Sequence, residues 1–356
     1  MYKKSEEIRQ FIIENVEAHR RNIASVAADK FHLTRQAINK QIRKLVEEKI
    51  LSEEGSTRAK IYKLFQHILE TKDYANSPDL SEDRVYAVDV LPKLKEIGVA
   101  KNLEQRCAYF FTEIFNNAID HSEGSVISIS VTYDERYITI AIKDNGVGIF
   151  RKIMKRFELE DERAAILELS KGKLTTDPAK HTGEGIFFSS RISDRFVILS
   201  HQLTFLSAGS EDVQIELKDD KLDGTLVSAK FLRSSDRTTK EVFDKYASGD
   251  SDYGFAVTHI PVRLAQIGEE NLLSRSQAKR LLARLDRFKE VAFDFEGVAV
   301  IGQSFADQIF RVFQNEHPDI HLWYFNANEA VTQMISRALF AKTEGKQEAR
   351  NPLSHP

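Results

Sequence analysis

Glu113, Asn116, Asn117 and Asp120 lie at i, i+3, i+4 and i+7 of the stretch Glu113-Ile-Phe-Asn-Asn-Ala-Ile-Asp-His121. On a helix those positions share one face. Phe111, Ile114, Phe115 and Ala118 fall on the opposite face and are expected to be buried. A carboxylate on such a stripe polarises water, and an amide oxygen is a hard ligand for Mg2+. An acid and two amides on a core helix therefore suit a metal-nucleotide. Downstream stand Asp144-Asn-Gly146-Val-Gly148 and Gly183-Glu-Gly185. Their two glycine pairs permit close approach of the backbone to a ligand.

The elements around these residues follow from periodicity. Residues 126–132 and 137–143 alternate with period two across a four-residue turn, which predicts a β-hairpin ending at Asp144. A carboxylate there can accept a hydrogen bond from a ligand. Between the glycine boxes, 161–171 reads as helix and 172–182 as loop. Lys171, Lys173, His181 and Thr182 are candidate phosphate contacts, because cations and hydroxyls suit a γ-phosphate. Gly183-Glu-Gly185 then opens a helix over 186–192, whose N-terminus is expected to face the phosphates.

The constellation resembles the GHKL ATPases, the group of DNA gyrase B, the heat-shock chaperone ATPase, histidine kinases, the mismatch-repair ATPase and anti-sigma-factor serine kinases. The family's Glu and Asn, four residues apart on one helix, match Glu113 and Asn117. Its adenine-binding Asp-x-Gly-x-Gly box matches Asp144, Gly146 and Gly148. Its Gly-x-Gly at the end of a mobile lid matches Gly183 and Gly185, and its Gly-Thr on a late strand matches Gly224-Thr225. The resemblance implies ATP and Mg2+ as cofactors, Glu113 as catalytic base and Asn117 as metal ligand. It places Asn116, Asp120, Asp144, Gly146, Gly148, Lys173, Thr182, Gly183, Gly185 and Thr225 around ATP. His121 stands where related ATPases often carry His.

The chain has 356 residues, room for two or three domains. Cys107 is the only cysteine, which excludes an intrachain disulfide and a cysteine zinc cluster. It falls in the aromatic helix before Glu113 and is expected in the core. No run approaches the roughly 18 apolar residues of a membrane span, and the first residues lack a signal-peptide core. A cytoplasmic location without membrane contact is expected.

Charge is uneven. Residues 1–65 carry 14 Lys and Arg against nine Asp and Glu, a net +5, which leaves −8 on the remainder. A basic segment on an acidic body suggests a nucleic-acid module. Its pattern agrees. Helices are predicted over 3–19, 23–31 and 35–49, the last burying Ala37, Ile38, Ile42 and Leu45, with Thr34 as N-cap. Residues 50–64 read as a hairpin around Gly55. Three helices and a hairpin resemble a winged helix-turn-helix. The exposed start of the third helix offers Thr34, Arg35, Gln36, Asn39, Lys40 and Arg43, and the wing offers Arg58 and Lys60. Double-stranded DNA is the expected partner, bound tightly only by a homodimer.

The C-terminal part reads as strands over 253–257, 261–264, 290–295, 297–300 and 321–325, with helices over 274–286, 304–314 and 329–340. That alternation implies an α/β sandwich. Its order resembles the STAS fold of anti-anti-sigma factors, with Ser304 near their phosphorylatable serine. Gly302-Gln-Ser304-Phe replaces their usual Asp-Ser-Ser-Gly, so Ser304 reads more readily as a helix N-cap than as a phosphoacceptor.

The expected fold is multidomain α/β. It runs as a winged helix-turn-helix (1–65), linker (66–84), GHKL α/β sandwich (85–232), linker (233–252), STAS-like α/β domain (253–342) and disordered tail (343–356). The expected function is an ATP-Mg-binding bacterial transcriptional regulator. The alternatives are a partner-switching serine kinase acting on a STAS-like or sigma-factor partner, and a nucleotide-gated scaffold without hydrolysis.

Overall fold

A computed structural model describes residues 2–56, 60–174, 183–208, 212–247, 255–266 and 271–348. The N-terminal unit consists of α1 (Tyr2–Asn15), α2 (Ile23–Phe31), α3 (Arg35–Glu47) and the antiparallel pair β1 (Leu51–Glu54) and β2 (Ile61–Leu64). Ile8, Ile12, Ile23, Ile38, Ile42 and Leu45 close a core that belongs to this unit alone. The first helix ends four residues earlier than its pattern suggested. Ala37 is exposed, not buried. One residue before Ile38 the helix has turned by about 100° off the stripe that Ile38, Ile42 and Leu45 occupy.

The segment read as a linker over 66–84 is largely structured. It supplies β3 (His67–Ala75), which pairs antiparallel with β4 (Val126–Tyr133). Only Leu69 and Tyr74 of β3 pack on the core, so the polar outer residues of an edge strand read as linker. Then α4 (Glu82–Val85) runs through a π turn at Tyr86–Val90 into α5 (Leu91–Glu96), and α6 (Lys101–His121) follows. Next come β5 (Tyr137–Asp144), α7 (Ile149–Phe157), α8 (Glu162–Lys171), α9 (Gly185–Ile192), β6 (Arg195–Ala208) and β7 (Asp212–Leu232). The five strands form one antiparallel sheet in the order β3-β4-β5-β7-β6. Alternate residues Ile127, Ile129 and Val131 of β4 and Ile138, Ile140 and Ile142 of β5 are buried, as are Phe110, Phe111, Ile114 and Phe115 of α6. Period two meeting period 3.6 in this way makes a helix-on-sheet layer.

The second stretch read as a linker, 233–252, contains α10 (Thr239–Tyr246), begun by a Thr238–Glu241 capping box. The C-terminal domain holds β8 (Val257–Pro261), α11 (Arg275–Leu282) and β9 (Glu290–Asp294). After them α12 (Gln303–Asp307) continues through a π turn at Gln308–Phe313 into α13 (Gln314–Glu316). Then β10 (His321–Phe325) leads to α14 (Glu329–Glu348). Its strands are parallel in the order β10-β9-β8. Two expected strands are absent there. Residues 262–265 form a 3-10 turn after Pro261, which has no N–H to extend a ladder. Residues 297–300 form a turn and loop, with Gly297 at φ +74°. The tail read as disordered from 343 is helical to Glu348.

One continuous core joins the five-stranded sheet to the C-terminal domain. Phe187 and Phe188 of α9, Tyr246 of α10, Phe255 and Phe288 meet ring to ring, with Phe187 and Phe255 centroids 4.5 Å apart. No helix among the described residues is long and apolar enough to cross a membrane.

Candidate functional site

A cavity of about 310 Å³ lies between α6, the sheet and the segments around both glycine boxes. That is the scale of a small-ligand site. Its wall includes Glu113, Asn116, Asn117, His121, Asp144, Gly148, Gly183, Gly185 and Thr225, with Ile142, Ile153, Leu169 and Phe187 as apolar lining. Residues more than a hundred positions apart in the chain thus share one concave surface. Asp120, expected in the same group, is exposed and outside the wall. It stands at the far end of the helical stripe, one residue before α6 ends. Thr182 and His181 lie outside the described residues.

Asp144 ends β5 and is only 7% exposed. Its Oδ1 accepts from Gly146 N at 2.9 Å and from Thr225 N at 3.2 Å. Burial pushes its carboxyl above the ordinary aspartate value, and these N–H donors partly offset the push. The Thr225 hydroxyl in turn accepts from Ile149 N at 3.0 Å, tying β7 to the start of α7. A carboxylate held by neutral donors in a cavity wall is suited to accept one more hydrogen bond from a ligand.

Gly148, Gly183 and Gly185 line the cavity, whereas Gly146 and Gly224 serve backbone packing. A Cβ on Gly146 would lie 1.9 Å from Ser122 O, and one on Gly224 would lie 2.1 Å from Asp144 O. These glycines let backbone meet backbone behind the site, and Gly146 is not in the wall. A Cβ on Gly185 would lie 2.1 Å from Glu113 Oε2. The Glu113 carboxylate therefore stands directly against the first turn of α9.

Lys152 was not singled out in the sequence. It lines the cavity, and its Nζ donates to His121 O and Glu123 Oε1, both at 2.8 Å. Its signal was position: it falls one turn into the helix that follows Gly148.

Lys171 and Lys173 do not face the cavity. Lys171, 2% exposed, donates to Glu168 Oε1 at 2.6 Å and to the carbonyls of Arg280 and Ala283 at 3.1 and 3.0 Å. Arg284 Nη1 donates to the other Glu168 oxygen at 2.6 Å. Lys173 Nζ donates to Arg287 O at 2.9 Å. Both lysines thus bind the C-terminal domain: Lys171 takes the Arg280 and Ala283 carbonyls at the end of α11, and Lys173 takes the Arg287 carbonyl of the turn that follows.

Residues 102–235 match the family model of the histidine kinase-, DNA gyrase B- and HSP90-like ATPases. The chain carries a GHKL-type ATPase domain. That domain implies ATP binding. Residues 277–332 match the model of a STAS-like domain of unknown function. No curated protein matches the sequence. The pairing of these two domains fits a partner-switching, kinase-like protein.

The remaining candidates lie on the flanking units. On α3, Arg35, Gln36, Lys40 and Arg43 are exposed and Asn39 is half-buried. Arg35 Nη2 donates to Ser25 Oγ, and Thr34 Oγ1 accepts from Ala37 N, so that hydroxyl serves as the helix cap. On β2's side of the hairpin, Lys60 pairs with Glu53 at 2.8 Å. Arg58 lies outside the described residues. In the STAS-like domain Gly302, not Ser304, is the N-cap of α12, and Ser304 is exposed at the second helical position.

Proposed function

We propose that this chain is an ATP-Mg-dependent regulator whose GHKL domain sets the state of the units that flank it. The observation that carries the reading is the convergence of Glu113, Asn117, Asp144, Gly185 and Thr225 on one cavity of ligand scale. In this reading Asp144 accepts from the adenine amine, and the backbone N–H groups that hold it keep it in place. The Asn117 amide oxygen would hold Mg2+, with phosphate oxygens completing its shell. Bound Mg2+ supplies neutralisation of phosphate charge. Glu113 takes the proton of the attacking oxygen, from water or from a serine hydroxyl, and the α9 N-terminus receives the developing phosphate charge.

The output we propose is double-stranded DNA, held by the α3 face of a winged helix-turn-helix and tightly only by a dimer. Exposed Arg35, Gln36, Lys40 and Arg43 support it. The second reading is a protein serine kinase acting on a STAS-like domain, favoured by the exposed Ser304 and by the domain pairing.

One set of measurements tests both. ATP-Mg should raise the melting temperature, and phosphate release should fall by about 10²–10⁴ in Glu113→Ala with ATP affinity kept. Label on Ser304, or on an added STAS-like protein, selects the kinase reading. Loss of duplex retention in Arg35→Ala and Arg43→Ala, with a salt slope lower by about 1 per phosphate contact, selects the DNA reading. ATP binding without release or transfer leaves a nucleotide-gated scaffold.

A further inference from the structure

The contact between α8 and the STAS-like domain is a built one. Lys171 spends its three N–H donors on Glu168 and on the Arg280 and Ala283 carbonyls that end α11. Glu168 is shared between Lys171 and Arg284, so a carboxylate 5% exposed carries two cations from two domains. The Lys171 carbonyl accepts from Thr258 Oγ1 of β8 at 2.7 Å. The contact continues past α8. Lys173 Nζ donates to Arg287 O, Arg287 Nη1 donates back to Lys173 O at 3.1 Å, and the ammonium lies 4.9 Å from the Phe288 ring centroid. Lys173 sits at φ +54°, in the left-handed region that a lysine adopts only when its surroundings impose it.

The same lysine stands at the edge of the nucleotide cavity. Leu174, its neighbour, lines that cavity and donates from its N–H to Gly183 O at 3.2 Å. Lys173 is also within electrostatic reach of Glu184, the residue before Gly185. The ammonium itself is turned to the STAS-like domain, while its neighbour Leu174 lines the cavity. The STAS-like domain offers a carbonyl and two aromatic faces. A nucleotide in the cavity would offer phosphate oxygens, which bind a cation more strongly.

We infer that the docked STAS-like domain competes with the phosphates of ATP for Lys173, so that docking through Glu168, Lys171 and Arg284 holds ATP affinity down. This deepens the ATP reading and rests on it. Because coupling between sites is reciprocal, ATP must weaken the docking by the same factor.

The test measures ATP-Mg affinity of the full chain with a fluorescent ATP analogue. Arg284→Ala should bind roughly five-fold tighter or more. Arg287→Ala, which removes only an exposed bond to Lys173, should move the same way by less and covers the case in which Arg284→Ala folds poorly. In a Lys173→Gln background both gains should vanish. On the wild type, ATP should speed amide hydrogen exchange over residues 280–284. Unchanged affinity in both arginine variants, a gain that survives Lys173→Gln, or exchange that ignores ATP each overturns the inference while leaving the ATP site in place. Wild type that binds no ATP overturns the nucleotide reading itself, and this inference with it.

Discussion

The ATPase domain meets its two neighbours in different ways. The N-terminal unit keeps its own core and touches the sheet through polar bonds: Arg136 Nη1 to Glu14 O at 2.7 Å and the His67 ring with Lys49 O at 3.1 Å. The STAS-like domain shares one core with the ATPase and adds a buried charge cluster at the seam. A polar seam between separate cores exchanges its bonds for water at little cost. A seam made of core and buried ions does not separate without exposing apolar surface and unpaired charge. The N-terminal unit can thus shift at its seam without unfolding, whereas the STAS-like domain is packed as part of the ATPase.

The comparison breaks most readily at Phe255. This ring is 5% exposed and packs on Phe187, Phe188, Tyr246 and Phe288. Phe255→Ala should cost about 3–5 kcal/mol, measured by denaturant unfolding of the ATPase–STAS body. If the ATPase transition is unmoved, the shared core is not one cooperative unit. Next in size is Asp144→Asn, which puts an amide donor or a weaker acceptor where the adenine amine binds. It should weaken ATP by about 1.5–3 kcal/mol. The informative readout is thermal: ATP should raise the melting of the fused body and leave that of the N-terminal unit alone, and Asp144→Asn should abolish the rise. A shift of both transitions together would mean that the two cores unfold as one cooperative unit. Arg136→Ala, at that seam, should cost only about 0.5–1.5 kcal/mol, read in the same unfolding curves.

The smallest expected effect is in pH. The Asp144 carboxyl is raised above 3.8 in the folded chain by burial. The folded state therefore holds this proton more tightly than the unfolded one. That contribution to stability is fully present below 3.8 and is lost as pH rises through the raised value. ATP binding runs the other way, because the acceptor must be ionised. Affinity should start to fall on acidification at a pH above that of an ordinary aspartate, and the Asp144→Asn profile should be flat there.

The site was legible where local period determines what a residue faces. The Glu113–Asn117 stripe, the hairpin ending at Asp144 and the helix after Gly185 all stand where their patterns placed them. What was not legible depends on partners far away in the chain. A lysine such as Lys171 reads as a phosphate contact, because its acceptors are main-chain carbonyls 109 and 112 residues on. The strand at 67–75 hides because an edge strand with two core contacts has almost no apolar alternation. Residues 257–261 are buried on nearly every position, as in parallel sheets, and so carry no period to read.

The strand order has a consequence for how the chain is made. The β6–β7 ribbon and the β4–β5 hairpin are local and form from neighbouring sequence. The β5–β7 ladder that joins them closes across a span of 81 residues at its Asp144–Thr225 end. Such long-range pairing is slow, and on the ribosome it waits until β7 has emerged. The adenine end of the cavity is therefore among the last parts of the ATPase domain to assemble. The basic N-terminal unit, whose core lies wholly within residues 8–64, is complete long before it. During synthesis the chain passes through a period in which the N-terminal unit is folded and the cavity beside α6 does not yet exist.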